Sequence, residues 1–320
     1  MVNLSDIQSA RSVLKGVAVR TPLVACKLPD GRQIFVKPEN LQPIGSFKLR
    51  GAYNKINSLT LEERRRGVVA HSSGNHAQGV AYAARALGVK ATIVIPSVAP
   101  KVKIEATRAL GAEVVLVGPA SEDRIRKAEE LEKEHGLVPV PPYNDEKIIA
   151  GQGTIGLEIV DDLGNLEVVL VPVSGGGLIS GISTAIKTLR PQAIVIGVEP
   201  ELAADAQASL RTGRIQFVSA ESAGKTLADG LRTQSVGPVN FEHIRKYVDA
   251  IVTVKEDEIK QAMRHLLFNA RILAEPSGAV TTAAAMFRAH EIPASPNSVA
   301  VVSGGNIEPQ LFTEILTGAI

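Results

Sequence analysis

The sequence predicts an α/β fold of two domains, each with a twisted, mainly parallel sheet flanked by helices. Short β-branched runs alternate with segments of helical periodicity from about Gly67 onward, and 320 residues exceed what one hydrophobic core usually serves. Strands that alternate with helices form parallel sheets, because each crossover helix packs on a sheet face. The predicted strands are 68–70, 91–95, 113–117, 168–173, 194–198 and 298–302.

Several predicted helices carry end signals. A capping-box pattern at Ser5 and Gln8 opens the first helix. Its apolar face is predicted from three-to-four spacing at Ile7, Ala10, Leu14 and Val17. Gly88 and Gly111 each follow a helical stretch, where a glycine in the left-handed conformation is expected as the cap.

A proline-rich stretch at 138–143 interrupts the alternation, so we place a crossing between the domains there. We expect residues 1–50 and 146–320 to form a large domain. Residues 51–145 are expected to form a small domain. A strand and a short helix close the chain, so we expect no appended regulatory domain.

Composition narrows the class of protein. A formal net charge of +2, without a run of five like charges, argues against a nucleic-acid partner. The single cysteine, Cys26, cannot form an intramolecular disulfide, and residues 1–16 lack an apolar signal core. No apolar run approaches the roughly 20 residues that a membrane-spanning helix needs. We therefore expect a reduced, cytoplasmic protein without a membrane segment.

A glycine-rich turn follows the predicted strand 168–173. It contains Gly175, Gly176 and Gly177 and leads into a helical stretch. Unpaired N–H groups and the helix dipole at such a turn bind phosphate, while glycine lets the backbone approach the anion. The turn lacks the Gly-Lys-Ser/Thr of a P-loop, and Ser180 breaks the dinucleotide-binding pattern. A tight turn without a ligand is the alternative.

Two other turns place polar side chains at strand ends. Ser72, Ser73 and Asn75 follow the strand 68–70, where they and nearby N–H groups could hold a carboxylate at the next helix. Ser303 follows the last strand, where the carboxyl edge of a sheet opens onto a ligand. Neither turn is specific alone.

The residues around Lys48 change this picture, because together with the turns they resemble a known family. Six motifs occur in the family's order, at 45–52, 72–79, 151–154, 175–178, 226–230 and 303–306. The chain resembles fold-type II pyridoxal 5'-phosphate (PLP) enzymes, whose fold is tryptophan synthase β-like. Within that fold it is similar to threonine/serine dehydratases and serine racemases along nearly its whole length. The resemblance implies that the large domain, 1–50 and 146–320, binds the cofactor and that the small domain, 51–145, lies on the substrate side. The visible departure is Ser174, where many relatives have a fourth glycine.

The resemblance implies a set of site residues. Lys48 would hold PLP as a Schiff base and Ser73 would act on the opposite face of the substrate, as in racemases. The implied cofactor contacts are Phe47, Lys48, Asn75, Gly175, Gly176, Gly177, Leu178 and Ser303. The implied substrate contacts are Ser72, Ser73, Asn75, His76 and Arg124. Relatives are homodimers or homotetramers, which we expect here.

The implied reaction is α,β-elimination from a small β-hydroxy amino acid. L-threonine would give 2-oxobutanoate and ammonia, and L-serine would give pyruvate and ammonia. An ordinary lysine, with a pKa of about 10.4, is protonated at neutral pH, so Lys48 must be desolvated to act as a base. Ser303 at the pyridine nitrogen is a weaker electrophilic aid than a carboxylate, which suits prompt loss of the β-hydroxyl.

A loop after the strand 194–198 is similar to the divalent-cation loop of serine racemases and some bacterial dehydratases. Glu199, Ala203 and Asp205 fall on the matching positions. Oxygen ligands with waters suit hard cations, so we expect Mg²⁺, or Ca²⁺ or Mn²⁺. Without the resemblance, acidic residues at a helix start would be read as partners of its dipole.

Several alternatives stay open. Ser73 permits serine racemase activity without requiring it. Arg124 could bind a second substrate carboxylate, which would favour a dehydratase of 3-hydroxyaspartate or a related amino acid. A nucleotide-binding oxidoreductase would explain the alternating pattern but not the motifs around Lys48. The lysine also argues against a non-catalytic ligand sensor.

Overall fold

The computed structural model describes residues 1–72, 74–99, 101–118 and 121–320. Their strands form a six-stranded and a four-stranded sheet, in the orders β1-β2-β10-β7-β8-β9 and β5-β4-β3-β6. The strands of the larger sheet are β1 Val24–Lys27, β2 Gln33–Pro38, β7 Val168–Pro172, β8 Ile194–Pro200, β9 Ala250–Val254 and β10 Ser298–Val302. The smaller sheet contains β3 Val68–His71, β4 Ala91–Pro96, β5 Glu113–Val117 and β6 Val138–Pro139. All pairings are parallel except that of β1 with β2, which confirms the predicted fold class.

Helices connect these strands. The first seven are α1 Leu4–Leu14, α2 Lys48–Asn57, α3 Leu61–Arg66, α4 Asn75–Ala86, α5 Lys101–Ala109, α6 Ser121–His135 and α7 Glu146–Asp162. The others are α8 Gly177–Leu189, α9 Asp205–Thr212, α10 Ala220–Gly224, α11 Pro238–Tyr247, α12 Glu256–His265, α13 Pro276–Phe287 and α14 Pro309–Thr317. Within the described ranges, no helix has both the length and the apolar character needed to cross a bilayer.

The predicted strands are confirmed within two residues at each end. The glycine caps are also confirmed, because Gly88 and Gly111 adopt φ values of +65° and +90°. The predicted cap of α1 is wrong: Asn3, not Ser5, accepts hydrogen bonds from the N–H groups of the first turn, and Asp6 completes the capping box. Val17 lies beyond the end of α1, so the buried face consists of Ile7, Ala10 and Leu14.

A buried ionic cluster anchors the segment between β2 and α2. It consists of Lys37, Glu39, Arg50 and Glu158, none of them more than 7% exposed. Arg50 donates to both oxygens of Glu39 and Glu158, and Lys37 Nζ donates to Glu158 at 2.6 Å. Since buried charges are tolerated only when paired, these bonds fix the first turns of α2 on α7.

The larger sheet buries aliphatic side chains on both faces. One cluster, which includes Val36, Val252 and Ala283, contains the sole cysteine, Cys26, on edge strand β1. Cys26 is fully buried, and burial raises the pKa of its thiol. The carboxyl ends of β7, β8 and β10, and the turn before α4, lead to the polar turns singled out in the sequence.

Candidate active site

The lysine segment lies against the turn that follows β10. Ser46 and Gly304 form an isolated bridge, and Phe47 N–H donates to Ser303 O at 3.1 Å. Gly45, with φ of +71°, accepts from Gly305 N–H at 2.9 Å. Two motifs more than 250 residues apart are therefore paired through their backbones.

Lys48 begins α2 and is half-buried. Nζ donates to Pro142 O at 2.7 Å and lies 5.2 Å from the centroid of the Phe47 ring. Burial lowers the pKa of Lys48 to about 8. At pH 7 about a tenth of the amine is then unprotonated, far more than for an ordinary lysine, and the unprotonated form is the one that acts as a nucleophile or base.

The glycine turn between β7 and α8 fits a phosphate. Gly176 has φ of +94°, and α8 begins at Gly177, so the N–H groups of its first turn have no carbonyl four residues back. A Cβ on Gly175 would lie 2.4 Å from the Tyr143 ring, so only glycine fits there. This chemistry suits the phosphate of PLP. Ser174 Oγ lies 2.8 Å from Thr233 Oγ1.

The polar turn after β3 leads into α4. Asn75 is the first residue of that helix, and Ser72 Oγ accepts from Gly74 N–H at 3.4 Å. Nε2 of His76 is 2.8 Å from Val140 O, and burial followed by the Lys48 charge lowers the pKa of His76 to about 3. The imidazole is therefore neutral, and His76 can offer an anion only its backbone N–H. Ser73 lies outside the described residues.

Ser303 directly follows β10 and is 4% exposed. Its Oγ donates to Ser277 O at 3.3 Å, at the start of α13. Ser303 therefore offers a neutral hydroxyl at the end of β10. A carboxylate at this position would instead hold a ring nitrogen in its protonated form.

The end of β8 and the start of α9 each bury a carboxyl group. Glu199 accepts from the N–H groups of Ala206 and Gln207, at 3.0 and 2.8 Å. Neither oxygen of Asp205 has a hydrogen-bond partner within the described chain, although the residue is only 2% exposed. Burial and the charge of Asp205 raise the pKa of Glu199, and burial raises the pKa of Asp205 to about 7. Unpartnered buried oxygens suit a cation ligated also by Ala203 O and waters.

Arg124 lies on α6, half-buried, and interacts electrostatically with Tyr143 and His71. Tyr143 in turn packs on Gly175 of the glycine turn. Burial lowers the pKa of Arg124, and the nearby charges of Glu122 and Tyr143 oppose that shift.

Sequence reasoning missed three contributors to the site. Pro142 O holds the Lys48 amine, and Tyr143 packs on the glycine turn. Glu275 accepts from Asn75 Nδ2 at 2.6 Å and is 3% exposed. Pro142 and Tyr143 lie in the proline-rich crossing, which could have drawn attention to them. A glutamate immediately before a helical proline carries no comparable signal.

Comparisons with known proteins agree with this geometry. The family described as pyridoxal-phosphate dependent enzyme matches residues 14–304. An L-threonine ammonia-lyase of Thermotoga maritima is 48% identical, over 99% of this chain and 78% of the relative. A threonine deaminase from T.th. superposes with a TM-score of 0.89 at 42% identity, over 96% of this chain and 99% of the other. A serine racemase from Dictyostelium discoideum does so with a TM-score of 0.89 at 37% identity, covering the same shares. The chain belongs to the family of pyridoxal-phosphate-dependent enzymes.

Proposed function

We propose that this enzyme is an L-threonine ammonia-lyase that releases 2-oxobutanoate and ammonia from L-threonine, and pyruvate and ammonia from L-serine. The observation that carries the proposal is Lys48, a half-buried amine with a pKa lowered to about 8, which donates to Pro142 O, while the next residue, Tyr143, packs on a glycine turn suited to a phosphate. The similarity to an L-threonine ammonia-lyase over 99% of the chain supports the same reaction.

Different residues of the site would bind different parts of the cofactor. N–H groups at Gly175, Gly176, Gly177 and Leu178 would hold the cofactor phosphate. Phe47 would back the ring, Ser303 would meet its nitrogen, and Asn75 would bind its 3'-oxygen. When bound, PLP supplies an electron sink for the charge that develops at the substrate Cα.

Lys48 and the turn before α4 act on the substrate. Ser72 and the N–H groups that begin α4 would hold its carboxylate, with help from Ser73, Asn75 and His76. Lys48 Nζ would take the Cα proton; the Cβ–O bond then breaks, and hydroxide leaves with the electron pair. Water later releases ammonia and the 2-oxo acid. A neutral Ser303, instead of a carboxylate, disfavours a long-lived charge at Cα.

The first test replaces the lysine. Lys48→Ala should lose the visible absorbance of lysine-bound PLP, and its release of 2-oxobutanoate from L-threonine should fall by more than about 10³-fold. Lys48→Arg is the matched control, because it keeps a cation but cannot bind the cofactor covalently. Wild-type turnover in either variant would refute the assignment.

A substrate panel tests the alternatives. Holoenzyme is incubated with L-threonine, L-serine, D-serine and both 3-hydroxyaspartate diastereomers, and keto acid and serine chirality are measured. 3-Hydroxyaspartate is the second candidate substrate, because its second carboxylate would need a cation and the half-buried Arg124 is the candidate for that contact. Appearance of D-serine from L-serine would add racemase activity, with Ser73 as the residue to replace.

We further propose that Glu199, Ala203 and Asp205 bind Mg²⁺, or Ca²⁺ or Mn²⁺. The unpartnered Asp205 oxygens support this site. Binding to the folded state alone should stabilise the enzyme by about 2.7 kcal/mol at a hundredfold excess over Kd. We expect chelator to lower Tm and Mg²⁺ to restore it in wild type and in Glu201→Gln, an exposed acidic control in the same loop. Asp205→Asn should not respond. A wild-type Tm that ignores both additions would exclude the site.

The predicted domains and assembly remain proposals. The strands of the smaller sheet all lie within the proposed small domain, 51–145, which supports the boundary to 1–50 and 146–320. Leu41 and Leu273 are 51% and 41% exposed, and Asn40, the neighbour of Leu41, donates to Leu273 O. These apolar side chains support a homodimer or homotetramer, which light scattering would test. We also propose a cytoplasmic location, testable by cell fractionation.

A further inference from the structure

Glu275 is a buried carboxyl group for which the proposed mechanism has no role. Glu275 occupies the N-cap position of α13, but its side chain makes no capping hydrogen bond. Its Oε1 accepts from Asn75 Nδ2 at 2.6 Å, across 200 residues of sequence. A Cβ on Gly304 would lie 2.5 Å from the same oxygen, so the turn after β10 packs directly on the carboxyl group.

The Asn75 amide is bonded at both ends. Its Oδ1 accepts from Asn306 Nδ2 at 2.7 Å, and Asn306 Nδ2 also donates to Ile44 O at 2.8 Å. Glu275 therefore takes one of the two N–H bonds of the Asn75 amide, and Asn306 takes its oxygen. Among the described residues, one amide hydrogen is left for a ligand.

No cation among the described residues forms an ion pair with Glu275. The nearest charges come from two elements, Asp229 in the turn 229–231 and Lys103 on α5, and these two pair with each other at 2.7 Å. An ionised carboxylate without a cation is costly in a buried site, whereas a carboxylic acid needs only hydrogen bonds. Burial, followed by the Asp229 charge, raises the pKa of Glu275 to about 8, against the opposing effects of the Asn75 hydrogen bond, the Lys103 charge and the Asn306 backbone N–H.

We propose that Glu275 is a positioning residue that acts as a neutral carboxylic acid, holding the Asn75 amide so that its free N–H faces the cofactor's 3'-oxygen. The proposal rests on the proposed function, because it takes the contact between Asn75 and PLP from there. A neutral acid fixes the amide without adding a negative charge next to that oxygen. A carboxylate there would attract a proton to this part of the cofactor, in conflict with the uncharged Ser303 hydroxyl at the ring nitrogen.

The proposal predicts different outcomes for three substitutions of Glu275. Glutamine has nearly the shape of a neutral glutamic acid, with one acceptor oxygen and a donor, so Glu275→Gln should keep wild-type PLP absorbance and at least about half of kcat. Glu275→Ala frees the amide and should lower kcat about tenfold or more, the effect of one lost orienting hydrogen bond, with a shifted PLP spectrum. Glu275→Asp, whose carboxyl group is too short to reach, should resemble Glu275→Ala.

The experiment compares these three variants as purified holoenzymes, with circular dichroism to verify folding. Asn75→Ala and the double variant Asn75→Ala/Glu275→Ala complete a cycle, in which the two losses should not add, because both act through one amide. Spectrum and activity close to wild type in Glu275→Gln would support the proposal. A loss in Glu275→Gln as deep as in Glu275→Ala would overturn it, because a charge or a transferable proton would then be needed.

The result does not depend on the substrate assignment. If the wild type binds PLP but releases no 2-oxobutanoate from L-threonine, the proposed reaction fails, while the PLP spectra still decide the role of Glu275. If Glu275→Ala does not fold, Glu275→Gln against Asn75→Ala decides it, since only Asn75→Ala should alter the spectrum.

Discussion

Two buried glutamates of this enzyme have opposite surroundings. Glu39 is fully buried and receives hydrogen bonds from Thr21, Gln42 and Arg50. Glu275 is 3% exposed and accepts a hydrogen bond from the Asn75 amide. The charge of Asp229 acts on it from further away. Burial alone would raise the pKa of Glu39, but the charges and hydrogen bonds of Arg50, with Lys37, outweigh it and lower the pKa.

The paired Glu39 contributes to the stability of the fold, whereas the unpaired Glu275 contributes to the proposed function. In the cluster of Lys37, Glu39, Arg50 and Glu158, each charge has an opposite partner, and the cluster holds the helix that begins with Lys48. Glu275, like Asp205, is buried without a protein cation in the described chain. A buried carboxyl group without a cation needs a bound proton or a ligand. Glu275 and Asp205 both lie beside the candidate site.

The largest expected effect comes from breaking the compensated cluster. Arg50→Met leaves Glu39 and Glu158 buried with only Lys37 as a counter-charge, and should lower the free energy of unfolding by about 3–5 kcal/mol in urea titrations. Arg211→Met, at an exposed arginine of α9, is the control and should have little effect. A loss below about 1 kcal/mol for Arg50→Met would mean that the cluster contributes little to stability.

A pH series sharpens the comparison. The folded-state pKa of Glu275 is raised, so the folded protein holds an extra proton and loses stability as pH rises from about 4.5 toward about 8. Relative to Glu275→Gln, the wild type should lose up to about 1.4 kcal/mol per pH unit in that window. The pKa of Glu39 is lowered, so its contribution is lost as pH falls below about 4.5.

The measurement is the urea midpoint of wild type and Glu275→Gln at several pH values, with PLP held constant. Subtracting the two curves removes groups common to both proteins. Parallel curves between about pH 5 and pH 8 would show that Glu275 is already ionised in the folded protein.

The smallest effect is expected at the surface. Glu62 and Arg66 pair at 3.1 Å on α3 with side chains 83% and 40% exposed. Water screens such a pair, so Glu62→Gln should change the free energy of unfolding by no more than about 0.5 kcal/mol. A larger loss would show that exposure does not separate the two kinds of ion pair here.

The sequence predicted six of the ten described strands and the turns that follow three of them, but it did not reveal β1, β2, β6 or β9. In β2 the pattern is broken by Lys37, whose burial makes sense only beside Glu158 on a distant helix. Likewise the motifs pointed to Lys48 and the glycine turn, whereas Glu275 depends on one bond to Asn75, 200 residues away. Contacts that exist only in the folded chain leave no local pattern.

The buried cysteine gives this enzyme an internal reporter of opening. Cys26 pairs with Ile34 on the strand that precedes the lysine segment, and no other thiol in the chain competes with it. A thiol reagent can reach it only when the β1–β2 edge separates from the sheet, so its labelling rate in native buffer measures that separation. Cofactor binding at Lys48 should slow the labelling, because it ties the following segment more firmly to the rest of the sheet.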